Sequence, residues 1–235
     1  MQARNSSKWL VWQAIKWLFI LLLAYQLWIF VHILIWIKIN PDTTALMQQR
    51  IELMQNGRAN AELRQQWVPY QKISNHLKRA VVAAEDAKFL DHEGFDWEGI
   101  QKAMEKNKRR GKLVAGGSTI SQQLAKNLFL STKRTPWRKL EEAMITVMLE
   151  NVMSKRRILE IYLNMIEWGD GIFGAEAAAR HYYHINASAL NAVQAARMAA
   201  MIPNPRYFDK HTGSAYLTHR SEIILQRMSS AQIPK

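Results

Sequence analysis

From Trp17 to Ile37 the chain reads WLFILLLAYQLWIFVHILIWI, 21 residues without a formal charge, bracketed by Lys16 and Lys38. At about 1.5 Å per residue a helix of that length spans about 31 Å, the thickness of a bilayer's hydrocarbon core. Gln26 and His32 are its polar interruptions, and Trp17, Tyr25, Trp28 and Trp36 supply rings of the kind that sit at membrane interfaces. A cleavable signal peptide would have a shorter apolar region, about 7–15 residues, followed by a small-x-small site. Lys38-Ile39-Asn40-Pro41 offers no such site. Residues 17–37 are therefore expected to be an uncleaved transmembrane anchor. Arg4, Lys8 and Lys16 place residues 1–16 in the cytoplasm by the positive-inside rule, and the rest of the chain across the membrane.

Residues 39–235 carry 28 basic against 19 acidic side chains, a balance of +9. Beside a membrane, that balance favours anionic head groups or a phosphate-bearing substrate. Nucleic acid is not expected as a partner, because the deduced topology separates this domain from the genome. The absence of cysteine suits an oxidising compartment without requiring one. With 49% apolar content, 235 residues can bury one good core beside the anchor.

Residues 38–75 read as a membrane-proximal connecting region with short helical pieces, broken at Trp67-Val68-Pro69-Tyr70. A helix capped by Ser74 or Asn75 follows, with Leu77, Val81 and Ala84 on one stripe, and runs into EDAKFLDHEG at residues 85–94. Taken as the end of that helix, the stretch stops at Gly94 and gives Glu85 the apolar neighbours Val81, Val82 and Phe89. A carboxylate so placed is partly desolvated, which raises its pKa and suits it to act as a base.

Residues 96–110 predict a second helix and GKLVAGG a flexible loop, with Ser118 or Thr119 capping the next helix. There Gln122, Gln123 and Lys126 lie within one turn of each other. They read either as solubilising groups on an amphipathic helix or as donors and a cation aimed at a sugar and a phosphate. In TKRTPWRKLEE, residues 132–142, Pro136 suits a first helical turn and groups Arg134, Arg138 and Lys139 near a helix N-terminus, where anions are favoured. Arg138 and Glu142, four apart, read equally well as a surface ion pair. Glu160 and Asn164 share a helix face after Lys155-Arg156-Arg157. Helices over 188–201 and 216–227 complete a mainly α domain, 76–235, with scarce strand signals.

Together these segments resemble the peptidoglycan glycosyltransferase family, lysozyme-like enzymes that polymerise a lipid-linked disaccharide. Five motifs match in order. EDAKFLDHEG resembles ED-x-x-F-x-x-H-x-G at Glu85, Asp86, Phe89, His92 and Gly94. GSTISQQLAKN covers Gly117 to Asn127, and RKLEE resembles R-K-x-x-E at Arg138, Lys139 and Glu142. KRRILEIYLN covers Lys155 to Asn164. RMAAMIPNP, Arg197 to Pro205, is a looser fifth match, with Met201 where leucine or valine is more usual. The layout resembles the monofunctional branch: no serine has a lysine three residues on and no K-T-G occurs, so transpeptidation is excluded.

The resemblance implies a mainly α fold, one N-terminal transmembrane helix followed by a lysozyme-like all-helical glycosyltransferase domain. It implies that Glu85 is the catalytic base in polymerising lipid II to β-1,4-linked strands with loss of undecaprenyl pyrophosphate, on the outer face of the bacterial cytoplasmic membrane. Glu142 is the second catalytic carboxylate, as an orienter of cations, a divalent-ion ligand or a protonated donor. Asp86, Ser118, Thr119, Gln122, Gln123 and Asn127 are expected to bind substrate, and Lys126, Arg134, Arg138 and Lys139 to face the pyrophosphate. Magnesium or manganese bridging that pyrophosphate is plausible chemistry, although the sequence shows no protein metal cage and His92 reads as structural. The expected partners are lipid II, the growing lipid-linked chain, the membrane and proteins of cell-wall synthesis or division. Phe129, Leu130 and Trp137 are candidates to dip into the bilayer. A membrane-bound lytic enzyme and a non-catalytic basic scaffold are the alternatives, with GSTISQQ and RKLEE favouring synthesis.

Overall fold

The computed structural model describes residues 2–57, 62–112, 116–133 and 135–235, with side chains from Lys8 onward. Arg134, one of the expected site cations, lies outside the described residues, as does the 113–115 part of the GKLVAGG loop. The chain divides into two compact units, Met1–Ile39 and Asn40–Lys235.

The first unit is helix α1, Gln2–Trp36. It begins fifteen residues before the expected Trp17, because Trp9, Leu10, Val11, Trp12 and Ile15 carry the apolar pattern back past Lys16, and one lysine does not stop a helix. Lys8–Trp36 is long and apolar enough to cross a membrane. Trp12, Leu18 and Leu21 are each more than half exposed, unlike the side chains of a soluble core helix.

The second unit is mainly helical: α2 Ala45–Gln55, α3 Asn75–Glu85, α4 Trp97–Arg110, α5 Ile120–Phe129, α6 Pro136–Val152, α7 Lys155–Met165, α8 Ala175–Tyr183, α9 Ala192–Met201, α10 Pro205–Lys210 and α11 Ala215–Arg227. Helix α7 forms the centre. Ile158, Leu159, Ile161, Tyr162, Leu163 and Met165 on it are fully buried. Strands β1 Arg64–Gln65, β2 Glu167–Gly169 and β3 Ile172–Phe173 form a small sheet in the order β1-β3-β2, with β1 parallel and β2 antiparallel to β3.

Residues 40–75 do more than connect. Thr44 caps α2 by accepting from Met47 N at 3.1 Å, Leu46 and Met47 are buried, and β1 pairs with β3. Val68 is clamped by Asn164, whose Oδ1 accepts from Val68 N (2.9 Å) while its Nδ2 donates to Val68 O (3.0 Å). The fourth motif is therefore scaffold: Glu160 accepts from Tyr70 N at 2.8 Å and from Arg157 Nη1 at 2.7 Å.

Two helix boundaries differ from expectation. Helix α3 ends at Glu85, so the rest of EDAKFLDHEG, from Asp86 on, is a turn beyond the helix, and Phe89 is no longer a neighbour of Glu85 one helical turn on. Asp86 leaves the helix with φ −161°, and its carboxylate gains partners that a helical residue there could not reach. The helix expected from 188 starts only at Ala192, where Asn191 and Gln194 form a capping box. Asp96, Thr135 and Ser154 likewise cap α4, α6 and α7, and Pro136 occupies the first turn of α6 as expected.

Gly94 closes the turn with φ +90°, and a Cβ there would lie 2.7 Å from Thr146 Cγ2 and 3.0 Å from Glu150 Cγ. Both the backbone and the packing demand glycine. Gly94→Ala is expected to lower unfolding stability by about 2 kcal/mol or more in equilibrium denaturation, and a loss below about 0.5 kcal/mol would contradict this packing.

Candidate active site

Glu85 ends α3 beside the start of α5, and Asp86 sets that arrangement. Asp86 Oδ2 accepts from Ile120 N at 3.0 Å, taking one of the unpaired first-turn donors of α5, while Oδ1 meets His92 Nε2 at 2.8 Å. His92 Nδ1 in turn accepts from Gly94 N at 3.1 Å, which assigns the ring proton to Nε2. Thr119 completes the α5 terminus in a capping box with Gln122, and its hydroxyl donates to Gly94 O at 2.7 Å. Asp86 and Thr119, both expected to bind substrate, are thus buried and spend their polar atoms inside the fold. They position the neighbours that do face the cleft.

One turn into α5, Gln123 Nε2 donates to Glu85 Oε2 at 2.8 Å, while Gln123 Oε1 accepts from Tyr162 Oη at 2.9 Å. The tyrosine hydroxyl fixes which end of the amide faces Glu85. Arg220 on α11 reaches within 3.6 Å of Glu85 Oε1, which has no hydrogen-bond partner. Burial raises the Glu85 pKa above its ordinary 4.5, and Gln123, Arg220 and Lys126 only partly offset it. Burial also pushes the Tyr162 hydroxyl well above 10.0, so it stays a donor.

Beyond Gln123 opens a cleft of about 390 Å³ lined by Ser118, Gln122, Lys126, Asn127, Arg138, Lys139 and Glu142, among others. Glu142 is 3% exposed, so its pairing with Arg138 is no surface ion pair. Its Oε2 accepts from Arg138 Nη1 at 2.9 Å and its Oε1 from the Lys139 ammonium. The Lys126 ammonium has neither hydrogen bond nor ion pair among the described residues. Burial lowers its pKa below 10.5; Glu142 opposes that, and Arg138 and Lys139 reinforce it. Arg138 Nε is likewise buried without a partner. Among the described residues the cleft therefore holds four cations, Arg50, Lys126, Arg138 and Lys139, against two carboxylates, Glu142 and Glu167, with donors unspent on Lys126 and Arg138.

Both oxygens of Glu142 are committed, and among the described residues no three His, Cys, Asp or Glu side chains group to hold a metal. The donor set does not fit a protein-built divalent site.

The far wall carries groups that sequence reasoning passed over. Arg50 of α2 pairs with buried Glu167 of β2 at 2.9 Å, and Pro203 and Pro205 of the fifth motif close the end. Arg220 and Arg50 had no motif to mark them. Tyr162 lay inside a motif but on its buried face. Among the expected membrane contacts, Leu130 is buried, Phe129 is half-buried and Trp137 is 79% exposed.

The raised Glu85 pKa has a thermodynamic sign. Below pH about 4.5 the carboxyl is neutral folded or unfolded, and as pH rises through the higher folded value, only the folded state is penalised for its charge. Glu85→Gln is expected to melt with wild type at acid pH and above it at pH 8; coincident melting at pH 8 would overturn the assignment.

The Transglycosylase family profile matches residues 52–229. The chain is 64% identical over 227 residues to a biosynthetic peptidoglycan transglycosylase of Methylobacillus flagellatus, covering 97% of this chain and 99% of that one. It is 62% identical to the protein of that name from Laribacter hongkongensis, with the same coverage, and 58% identical over 223 residues to that from Nitrosospira multiformis, covering 95% and 97%. The matched segment contains Glu85, the α5 amides and the cleft cations, and the chain belongs to the transglycosylase family.

Proposed function

We propose that this glycosyltransferase polymerises lipid II into β-1,4-linked glycan, with undecaprenyl pyrophosphate as the leaving group and Glu85 as general base. The observation that carries the reading is the part-buried Glu85, its pKa raised and its Oε1 without a hydrogen bond, held by Gln123 next to a cleft that carries Lys126, Arg138 and Lys139. In the step we propose, the acceptor 4-hydroxyl attacks the anomeric carbon of the growing chain. Glu85 takes the hydroxyl proton as the new C–O bond forms, the bond from that carbon to pyrophosphate breaks, and the α linkage inverts to β.

Negative charge then grows on the departing pyrophosphate, and cations fixed before the reaction stabilise that state most. Lys126 and Arg138 carry donors that no group among the described residues uses, and Lys139 stands beside them. Of the three roles open to Glu142, its pairing with Arg138 and Lys139 favours the orienter. A magnesium or manganese ion on the pyrophosphate would be held by substrate oxygens, and no step here depends on it. Ser118, Gln122 and Asn127 line the same cleft and are proposed to contact sugar and phosphate. Helix α1 is proposed to anchor the enzyme in the bacterial cytoplasmic membrane with its N-terminus inside. That raises the local concentration of lipid-tailed donor and acceptor. Cell-wall synthesis or division proteins are proposed as neighbours.

The test supplies detergent-solubilised full-length protein with labelled lipid II or with finished cell wall. Wild type is expected to form polymer and leave wall strands intact, and Glu85→Gln to lose polymerisation by about 10²-fold or more with unchanged circular dichroism. Shortened wall strands without polymer would identify a lytic enzyme instead.

A further inference from the structure

A second cavity, of about 700 Å³, lies between the N-terminal half of α3 and the tail Ser229–Lys235 that follows α11. Its walls include Lys78, Arg79, Arg156 and the ring of Tyr70, and no lining side chain is a carboxylate. Lys78 is 3% exposed. Its ammonium donates to Asn75 Oδ1 at 3.0 Å and stands 4.1 Å from the Tyr70 ring centre, and the Arg156 guanidinium lies 4.9 Å from the same ring. Both are neutral partners. Burial, and secondly Arg156, hold the Lys78 pKa below 10.5. Glu160, the acid that bears on Tyr70, is already bound to Arg157 and to Tyr70 N. Main-chain oxygens complete the lining: Arg79 Nη1 donates to Ala231 O at 2.9 Å and Ser229 O at 3.2 Å, and Arg156 Nη1 donates at 3.1 Å to Lys235 O, an oxygen of the α-carboxylate that is the cavity's one negative group.

A buried ammonium beside two guanidinium groups, with one α-carboxylate among them and that one on Arg156, leaves positive charge in excess, which is costly to a fold. An oxyanion offsets that excess, and guanidinium forks next to a lysine suit phosphate oxygens. The cavity size falls within the range of about 300–1,000 Å³ for small-ligand sites. We propose that this cavity is an anion site that takes a phosphate group, from free phosphate or a lipid head group, separate from the catalytic cleft. Lys78 precedes Glu85 by seven residues on α3, about 10 Å along the axis, so the bound group lies too far away to be the one that reacts. The ligand would clasp α3, which bears Glu85, to the segment following α11, which bears Arg220.

The test titrates full-length protein in detergent with inorganic phosphate at constant ionic strength, by calorimetry, in a Lys126→Met/Arg138→Gln background that silences the cleft. Saturable binding is expected to persist there and to weaken about tenfold with Arg156→Gln and with Arg79→Gln, each with unchanged circular dichroism as the control on folding. Displacement of phosphate by dihexanoyl phosphatidylglycerol below its micelle concentration would assign the lipid head group as source; failure to displace assigns free phosphate. No saturable binding in the silenced background, or binding untouched by both arginine variants, overturns the proposal.

Discussion

Asp86 is the hinge on which the proposed catalytic arrangement turns. By stepping out of α3 it lends one oxygen to the first amide of α5 and the other to His92, so the end of one helix becomes part of the start of another. That junction brings Gln123 within hydrogen-bonding distance of Glu85 and places the cleft-facing side of α5 beside it. A charged acceptor buried at a helix N-terminus is favourable where donors are unpaired, and here it replaces water that the core excludes. Gly94, Thr119 and His92 all serve the same junction.

The proposed site rests on a contrast of charge. On one side Glu85 sits in a desolvated position with one oxygen unbonded, so its charged form is held back and proton uptake is favoured. On the other, Lys126, Arg138 and Lys139 stand around the buried Glu142, and among the described residues the Lys126 ammonium and Arg138 Nε have no partner. The order is coherent for a displacement in which a proton leaves one end of the reacting centre and an anion leaves the other. Arg220 moderates the first side, because it lowers a pKa that burial alone would carry higher.

Much of this was legible in sequence, for physical reasons that differ by element. The apolar run announced a membrane-length helix because length and charge alone decide that property, while the helix itself continues back through Lys16 and Lys8 to Gln2, where single lysines do not stop it. Glu85, Gln123, Lys126 and Arg138 sat in spaced motifs whose residue types fit the chemistry. What stayed hidden was direction. Asp86 and Thr119 carry the same side-chain chemistry whether they face a ligand or cap a helix, and only the turn after Glu85 turns them inward. The Arg138–Glu142 spacing fits an exposed pair, and burial under the cleft wall changes its meaning. Arg220 and Arg50 come from far along the chain, where no local pattern marks a tertiary neighbour.

The most direct measurement of the central claim is the pH dependence of the polymerisation rate at low substrate, for wild type beside Arg220→Gln. If Glu85 is the base, the acidic limb reports its ionisation, with an apparent midpoint above the ordinary 4.5. Removing Arg220 takes away a charge that stabilises the ionised form, so the limb is predicted to move to higher pH. An acidic limb at the same pH in both proteins would contradict the account.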